Sequence, residues 1–296
     1  MAASGAQRLD LQGLRAVAII LVLLFHSLPE YFPYGYFGVD IFFVISGYLM
    51  FCIFAQAHWK NSNFIELASN FYYRRLTRIA PLSILYSCVA IKAAINSLLF
   101  ITNIVSMREQ NDYFQQLTHE NLFVHIWSLS VEIQYYLIFP FLFFLRTLIP
   151  WRVGSRLLFP LVGLASFIYS LFLDTVIAFN HPLARLWQFV IITLFAEDIL
   201  NNGESVKKIY RILPFSFNKT THEQDEPKSS EVGSSTIRYW TCLISTVLHI
   251  LLLVLLSLIP LPFFVDGRRC IVTALTAVVI AFGAGNQVTT AVYDHR

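Results

Sequence analysis

Several charged and titratable side chains of this sequence stand inside or beside long apolar runs. Arg15 and His26 flank the first run, and a helix would place both on nearly the same side, about 16 Å apart along its axis. An imidazole exchanges protons near neutral pH, and ionisable groups in a membrane helix are costly unless they face protein or water. The pair therefore indicates a functional site. The alternative is that Arg15 extends to one membrane interface and His26 lies near the other.

The second apolar run begins near Asp40, after a short connection rich in Pro and Tyr that brings Asp40 close to His26. A carboxylate at this position can orient the imidazole and hold it as a base. The alternative is a carboxylate that only caps the helix, where the dipole favours a negative charge. Ser46 and Gly47 follow about two turns deeper, and a small pair of this kind permits close helix packing.

A basic and aromatic segment, residues 71–81, leads into the third apolar run and contains Arg74, Arg75 and Arg78. Arg74 and Arg78 are four residues apart, so they share one face of a helix. Guanidinium groups on one face can bind several phosphate oxygens at once. The alternative is that the segment anchors the chain to anionic lipid headgroups.

The segment 125–136 predicts a helix with a polar stripe through an apolar span, formed by His125, Ser128, Glu132, Tyr135 and Tyr136. Glu132 lies about 10 Å beyond His125 by helix rise, within reach of the level of His26. A carboxylate in this setting needs a partner, and a structural arginine is the alternative to the imidazole. Further along, Arg185 and Trp187 begin another apolar run, where anchoring at the membrane interface is one explanation.

The composition identifies the chain as a membrane protein. Hydrophobic residues make up 56% of its 296 residues and charged residues only 13%, unlike a soluble globular domain. The net charge of +3 is dispersed between apolar runs, which gives no support to nucleic-acid binding. The four cysteines have the spacing neither of a disulfide framework nor of a zinc site, so no metal is expected.

The predicted fold class is all-α, a polytopic bundle of transmembrane helices. About eight apolar runs are long enough to cross a hydrocarbon core of about 30 Å. We expect spans at roughly 14–29, 37–57, 79–101, 125–148, 157–175, 184–200, 239–262 and 270–290. A cytoplasmic N-terminus puts most of the 21 Lys and Arg residues in cytoplasmic segments, as the positive-inside rule requires. Arg108, Arg185, Arg268 and Arg269 then fall on the opposite side.

One long polar stretch divides the chain. Residues 201–238 have the composition of a disordered segment, and we expect a cytoplasmic loop there. Residues 1–200 then form the N-terminal part of a membrane domain, and residues 239–296 contribute two further spans.

Four segments, in this order, resemble the acyltransferase-3 family. They are Arg15 to His26, Gly38-Val39-Asp40-Ile41-Phe42-Phe43-Val44-Ile45-Ser46-Gly47-Tyr48, Arg74-Arg75-Leu76-Thr77-Arg78-Ile79-Ala80-Pro81, and Trp127-Ser128-Leu129-Ser130-Val131-Glu132. Within the family, the chain is most similar to the branch whose ten-span membrane domain is fused to an SGNH-type esterase domain, as in bacterial polysaccharide O-acetyltransferases. Nematode relatives of that branch have similar motifs, and the polar insertion suits a eukaryotic member.

The resemblance implies an integral-membrane enzyme that moves an acyl group, commonly acetyl, from cytoplasmic acyl-CoA to a hydroxyl of a carbohydrate or glycolipid. The implied base is His26, oriented by Asp40 or Glu132. No bound cofactor is implied, and acyl-CoA is a co-substrate. Membrane lipids are further partners. In the predicted topology Arg74, Arg75 and Arg78 face the cytoplasm, where acyl-CoA arrives, and Arg15 lies at the same level, so these four residues are expected to bind it. The residues expected to support the site or line a substrate path are Ser46, Gly47, Trp127, Ser128, Tyr136, Arg185 and Trp187.

The sequence departs from the family pattern at its C-terminal side. Gln188 stands where the family's Arg-x-Trp-Glu motif usually has glutamate, and the glycine that usually follows is absent. About eight of an expected ten spans are present, and no SGNH domain follows. An inactive, truncated family member is therefore one alternative. The other is a transporter-like protein that moves lipids or small molecules without consuming acyl-CoA.

Overall fold

The described part of the chain is helical. The computed structural model describes residues 9–59, 64–87, 100–108, 127–149, 152–196, 247–248, 251–252, 254–255 and 265–290, and no strand occurs within these ranges. The helices are α1 (Leu9–Ser27), α2 (Phe37–Trp59), α3 (Phe64–Ser87), α4 (Thr102–Arg108), α5 (Trp127–Leu148), α6 (Arg152–Leu171), α7 (Thr175–Asn180), α8 (Pro182–Val190) and α9 (Val265–Thr290). The predicted all-α class is confirmed for these residues.

Two of the described helices are long and apolar enough to cross a membrane, Phe37–Ala55 within α2 and Trp127–Leu148 in α5. Shorter apolar helices at Leu11–Ser27, Arg156–Leu171 and Pro182–Ala196 lie where the sequence predicts three more spans. Most of the predicted third and seventh spans, and the polar segment 201–238, lie outside the described residues. The number of eight spans therefore stays a prediction.

The helices form two compact units, and the first comprises Met1–Ile45 with Leu194–Arg296. In this unit α1 packs against α9 and against the start of α2. Glycines make the second contact possible. A Cβ atom on Gly38 would meet the carbonyl oxygen of Ala18 and the side chain of Val22, and one on Gly35 would meet α1 one turn further on. The connection between α1 and α2 is therefore held tightly against α1.

The second unit comprises Ser46–Thr193 and is built around an aromatic core. The buried ring of Phe54 lies 6.0 Å from Phe71, 5.6 Å from Phe139 and 5.7 Å from Phe143, measured between ring centres. Edge-to-face and tilted contacts at these distances are favourable arrangements for aromatic rings. They pack α2, α3 and α5 together.

A polar network ties the shorter helices of this unit together. The side-chain amides of Asn103 in α4 and Gln134 in α5 hydrogen-bond each other twice, at 3.0 Å in both directions. Asn103 also donates to the carbonyl of Asn180 at 3.1 Å, and Gln134 donates to the carbonyl of Phe100 at 2.9 Å. Because buried amides are costly without hydrogen bonds, this pairing stabilises the positions of α4, α5 and α7.

Candidate active site

His26 lies in the last turn of α1, and its ring orientation is fixed from within that helix. Its Nδ1 atom is 2.7 Å from the carbonyl oxygen of Val22, one turn earlier. A carbonyl oxygen can only accept a hydrogen bond, so Nδ1 carries the proton in this contact. The neutral ring then keeps Nε2 as its basic nitrogen. The Phe25 ring meets the imidazole edge-on at 5.2 Å.

Asp40 lies in the first turn of α2 and is 2% exposed. The close approach of Gly38 to Ala18 and Val22 puts the start of α2 against the second half of α1. The first turn of α2 therefore lies beside α1 at the level of Ala18 and Val22, about one to two turns before His26. A helix N-terminus favours a negative charge, so the first turn of α2 suits the carboxylate of Asp40.

Two arginines of α9 belong to the same unit and contact the connection between α1 and α2. The guanidinium of Arg268 lies 4.0 Å from the ring centre of Tyr34. The guanidinium of Arg269 lies 6.0 Å from the ring centre of Tyr36. On the sequence alone, these arginines are predicted only to lie on the non-cytoplasmic side, and they are not among the predicted site residues. The sequence did contain a signal for them: two adjacent arginines fall on the predicted non-cytoplasmic side, where the positive-inside rule expects few basic residues.

Glu132 is the centre of a polar cluster in the second unit. The hydroxyls of Ser46 and Tyr136 both donate hydrogen bonds to its Oε1 atom. Across the Tyr136 ring lies the guanidinium of Arg75, 4.5 Å from the ring centre, which also contacts Phe71 at 5.4 Å. Tyr136 thus joins a carboxylate at its hydroxyl to a guanidinium at its ring face.

The arginines expected to bind acyl-CoA have different surroundings. Arg75 packs against Tyr136, whereas the side chain of Arg74 is exposed on α3. Arg78 follows in the same helix, and its side chain lies outside the described part of the structure, as does the whole of His125. Arg15 is half-buried in α1. Phosphate binding by these residues stays a prediction.

Arg185 and Trp187 are buried parts of α8. The Nε of Arg185 donates to the carbonyl of Phe179 at 2.9 Å, and its guanidinium lies 5.8 Å from the ring centre of Trp127. The backbone amide of Trp187 donates to the hydroxyl of Ser166 at 3.0 Å. An anchor at the membrane interface would project from the protein, so these contacts favour a structural role. Ser128, next to Trp127, is half-buried.

Gly47 lets α2 approach the backbone of α8 very closely. A Cβ atom at this position would overlap the backbone of Phe189 in α8, whose ring stacks on Tyr135 at 4.1 Å. The contact fixes α2, and with it Ser46, against α8. Among the described residues, no group of three or more His, Cys, Asp and Glu side chains is placed to hold a metal ion.

Comparison with known proteins identifies the family. A family model described as an acyltransferase domain matches residues 8–287. The chain belongs to the acyltransferase-3 family. The resemblance of its four motifs is thus confirmed, and the matched region of this acyltransferase-3 chain also includes α9 up to residue 287.

Curated relatives of this acyltransferase-3 chain include bacterial O-acetyltransferases. The O-acetyltransferase OatA of Staphylococcus aureus strain COL is 34% identical over 145 residues, which are 44% of this chain and 24% of that protein. A putative O-acetyltransferase of the same strain is 32% identical with the same coverage. The chain thus spans 24% of the length of these relatives. No solved structure matches it.

Proposed function

We propose that this chain is part of a multi-pass membrane O-acyltransferase with its N-terminus in the cytoplasm. It moves an acyl group, acetyl in the simplest case, from acyl-CoA to a hydroxyl of a carbohydrate or glycolipid. Family membership and relatives named O-acetyltransferases support this reaction class. The observation that carries the proposal is the hydrogen bond from Nδ1 of His26 to Val22, since it leaves Nε2 as a base.

In the proposed reaction, Nε2 of His26 takes the proton of the acceptor hydroxyl while the hydroxyl oxygen attacks the thioester carbonyl. A carbon–oxygen bond forms, and the tetrahedral intermediate then collapses with cleavage of the carbon–sulfur bond. The proton passes from Nε2 to the departing thiolate of CoA. One ester is formed for each thioester consumed, and the imidazole returns to its neutral form.

The position of His26 in α1 bears on the charge that develops on its imidazole during the reaction. When Nε2 takes a proton, the positive charge forms at the C-terminus of α1, where the helix dipole stabilises it. Asp40 is buried in the first turn of α2, in the same compact unit as His26, and its carboxylate adds a negative charge there. We therefore assign to Asp40 the stabilisation of the imidazolium, and keep Glu132 as the second candidate for this role.

Arg15 of α1 and the arginines of α3 are the residues proposed to bind the donor. Arg74 is exposed and Arg78 is one turn further along α3, which suits the phosphates of acyl-CoA. Arg15 and His26 are eleven residues apart in α1, or about 16 Å by helix rise. The proposal therefore requires either that the acyl-bearing arm of the donor extends towards His26 or that the acyl group is relayed to it.

The reaction is tested with membranes that contain the protein and acetyl-CoA labelled in its acetyl group. We expect label to be released or transferred by the wild-type protein and not by His26→Ala. The control is His58→Ala, which removes an exposed histidine at the end of α2 and keeps wild-type turnover. Equal label release by His26→Ala and the wild type contradicts the proposal. Movement of a lipid across vesicles without consumption of acetyl-CoA favours the transporter alternative.

A further inference from the structure

The first two turns of α9 hold two buried cations, Arg268 and Arg269, in a costly position. Arg268 and Arg269 are 4% and 5% exposed. Buried guanidinium groups lose their hydration, adjacent like charges repel, and the N-terminal end of a helix disfavours positive charge. A pair of arginines is stable in this position only if its contacts are favourable, and the faces of Tyr34 and Tyr36 provide two of them.

A series of rings connects the arginines to the histidine through Tyr36, and the ring of Tyr34 lies 6.5 Å from that of Tyr36. Arg269 lies over Tyr36, and Tyr36 meets Phe25 edge-on at 5.5 Å. Phe25 meets His26 edge-on at 5.2 Å. Tyr34 stacks on Phe37 at 6.1 Å, which joins the other tyrosine to the start of α2.

The segment that carries the tyrosines has little freedom to move away from α1. Gly35 lies between Tyr34 and Tyr36, and a Cβ atom there would meet the backbone of Leu21 and the side chain of Phe25. The connection is thus enclosed between α1 and the arginines of α9. The ring contacts thus link Arg269 to Phe25 through Tyr36, and Phe25 to the imidazole.

We infer that Arg268 and Arg269 are positioning residues for His26, acting through Tyr34, Tyr36 and Phe25. The inference rests on the proposed function, in which His26 is the base, and it assigns α9 a part in the reaction. Because reacting groups must be held within fractions of an ångström, a displaced imidazole lowers kcat more than it changes the binding of the donor. The arginines proposed to bind acyl-CoA lie outside α9, in α1 and α3.

The test compares paired variants in the full chain reconstituted in vesicles. Arg269→Gln removes the cation, whereas Arg269→Lys keeps it. Tyr36→Leu removes the aromatic face, whereas Tyr36→Phe keeps it. We expect Arg269→Gln and Tyr36→Leu to lower kcat about 10- to 100-fold with an unchanged KM for acetyl-CoA. The loss of kcat in Arg269→Lys and Tyr36→Phe is expected to be several-fold smaller. Arg156→Gln, an exposed arginine of α6, is the control with wild-type kinetics.

A second measurement does not depend on acyl transfer. Diethyl pyrocarbonate modifies accessible imidazole nitrogens, and mass spectrometry gives its rate at His26. We expect Arg269→Gln and Tyr36→Leu to change this rate several-fold relative to the wild type and to Arg156→Gln. If the Gln variant does not insert into the membrane, the two Tyr36 variants carry the same comparison.

The two readouts separate this inference from the proposed function. The inference is overturned if Arg269→Gln and Tyr36→Leu both keep the kcat and the modification rate of the wild type. Equal losses in the conservative and disruptive members of each pair also overturn it. If the wild-type protein transfers no acyl group, the proposed function fails, and the modification rate still decides whether α9 positions His26.

Discussion

The hydroxyls of Ser46 and Tyr136 both donate hydrogen bonds to the same oxygen of the Glu132 carboxylate. Helices α2 and α5 therefore each contribute one donor to the partly buried carboxylate of Glu132. Removal of either hydroxyl takes one of these hydrogen bonds away. Hydrogen bonds to charged groups contribute about 1.5–3 kcal/mol. We expect Ser46→Ala and Tyr136→Phe each to lower the free energy of unfolding by about this amount, measured by denaturant unfolding in detergent.

The control for this prediction is Ser170→Ala. The Ser170 hydroxyl donates to the carbonyl of Phe167 within its own helix, at 2.6 Å, so its loss leaves no charge without a donor. We expect this variant to unfold close to the wild type. Variants of Ser46 and Tyr136 that are as stable as Ser170→Ala would show that the cluster around Glu132 adds nothing to stability.

The close approach of Gly47 to the backbone of Phe189 makes a second prediction. Gly47→Ala places a Cβ atom where the carbonyl group of Phe189 lies, so α2 and α8 must separate. Overpacking of this kind costs about 1–3 kcal/mol. Gly13→Ala is the matched control, because nothing lies within 4 Å of the added atom and alanine favours a helix. Thermal unfolding should rank the variants Gly13→Ala, wild type, Gly47→Ala in falling order, and the reverse order would refute the contact.

His181 gives the stability of the second unit a pH dependence. Its side chain accepts a hydrogen bond from the backbone amide of Leu183 at the start of α8, which requires the neutral ring. Burial lowers the pKa of His181 below its usual value. The unfolded chain then binds a proton more readily than the folded one, so the contribution is complete above about pH 6.5 and is lost as the pH falls from there towards the lowered pKa.

The comparison that isolates this effect uses His181→Asn, which keeps a capping acceptor and does not titrate. The melting temperatures of the wild type and this variant are measured between pH 8 and pH 5. As the pH falls, the melting temperature of the wild type should fall by more than that of the variant. A constant difference across the range would exclude His181 as the source.

Arg74 and Arg78 of α3 carry the prediction for the donor. If Arg74 and Arg78 bind the phosphates of acyl-CoA, then Arg74→Gln with Arg78→Gln raises the KM for acetyl-CoA about tenfold or more, because charge-assisted hydrogen bonds contribute roughly twice as much as neutral ones. The kcat should change little. Initial rates over a range of acetyl-CoA concentrations measure both constants, with Arg156→Gln as control. An unchanged KM would return the two arginines to a role in anchoring lipid headgroups.

The parts of the fold that depend on local sequence were predictable. The apolar runs gave the positions of α1, α2 and α5, because the length and composition of a helix are properties of consecutive residues. The placement of Arg15 and His26 on one helix, and of Asp40 in the first turn of the next, follows from the same local information.

The contacts between distant segments could not be predicted in this way. Arg75 and Arg74 are neighbours in the sequence, and only the packing of α3 on α5 places Arg75 against Tyr136 while Arg74 is exposed. Arg268 reaches Tyr34 because α9 packs against α1, and no local pattern encodes that pairing. Such contacts depend on which helix faces pack together, and a single sequence does not contain this information directly.

The most direct test of the account is chemical rescue of His26→Ala. A general base contributes about 100- to 10,000-fold to a rate, so this variant should lose that factor in kcat while it still inserts into membranes and binds acetyl-CoA. Imidazole added to the assay should restore part of the turnover of His26→Ala and none of that of Asp40→Asn. Wild-type turnover by His26→Ala without imidazole would contradict the assignment of His26 as the base.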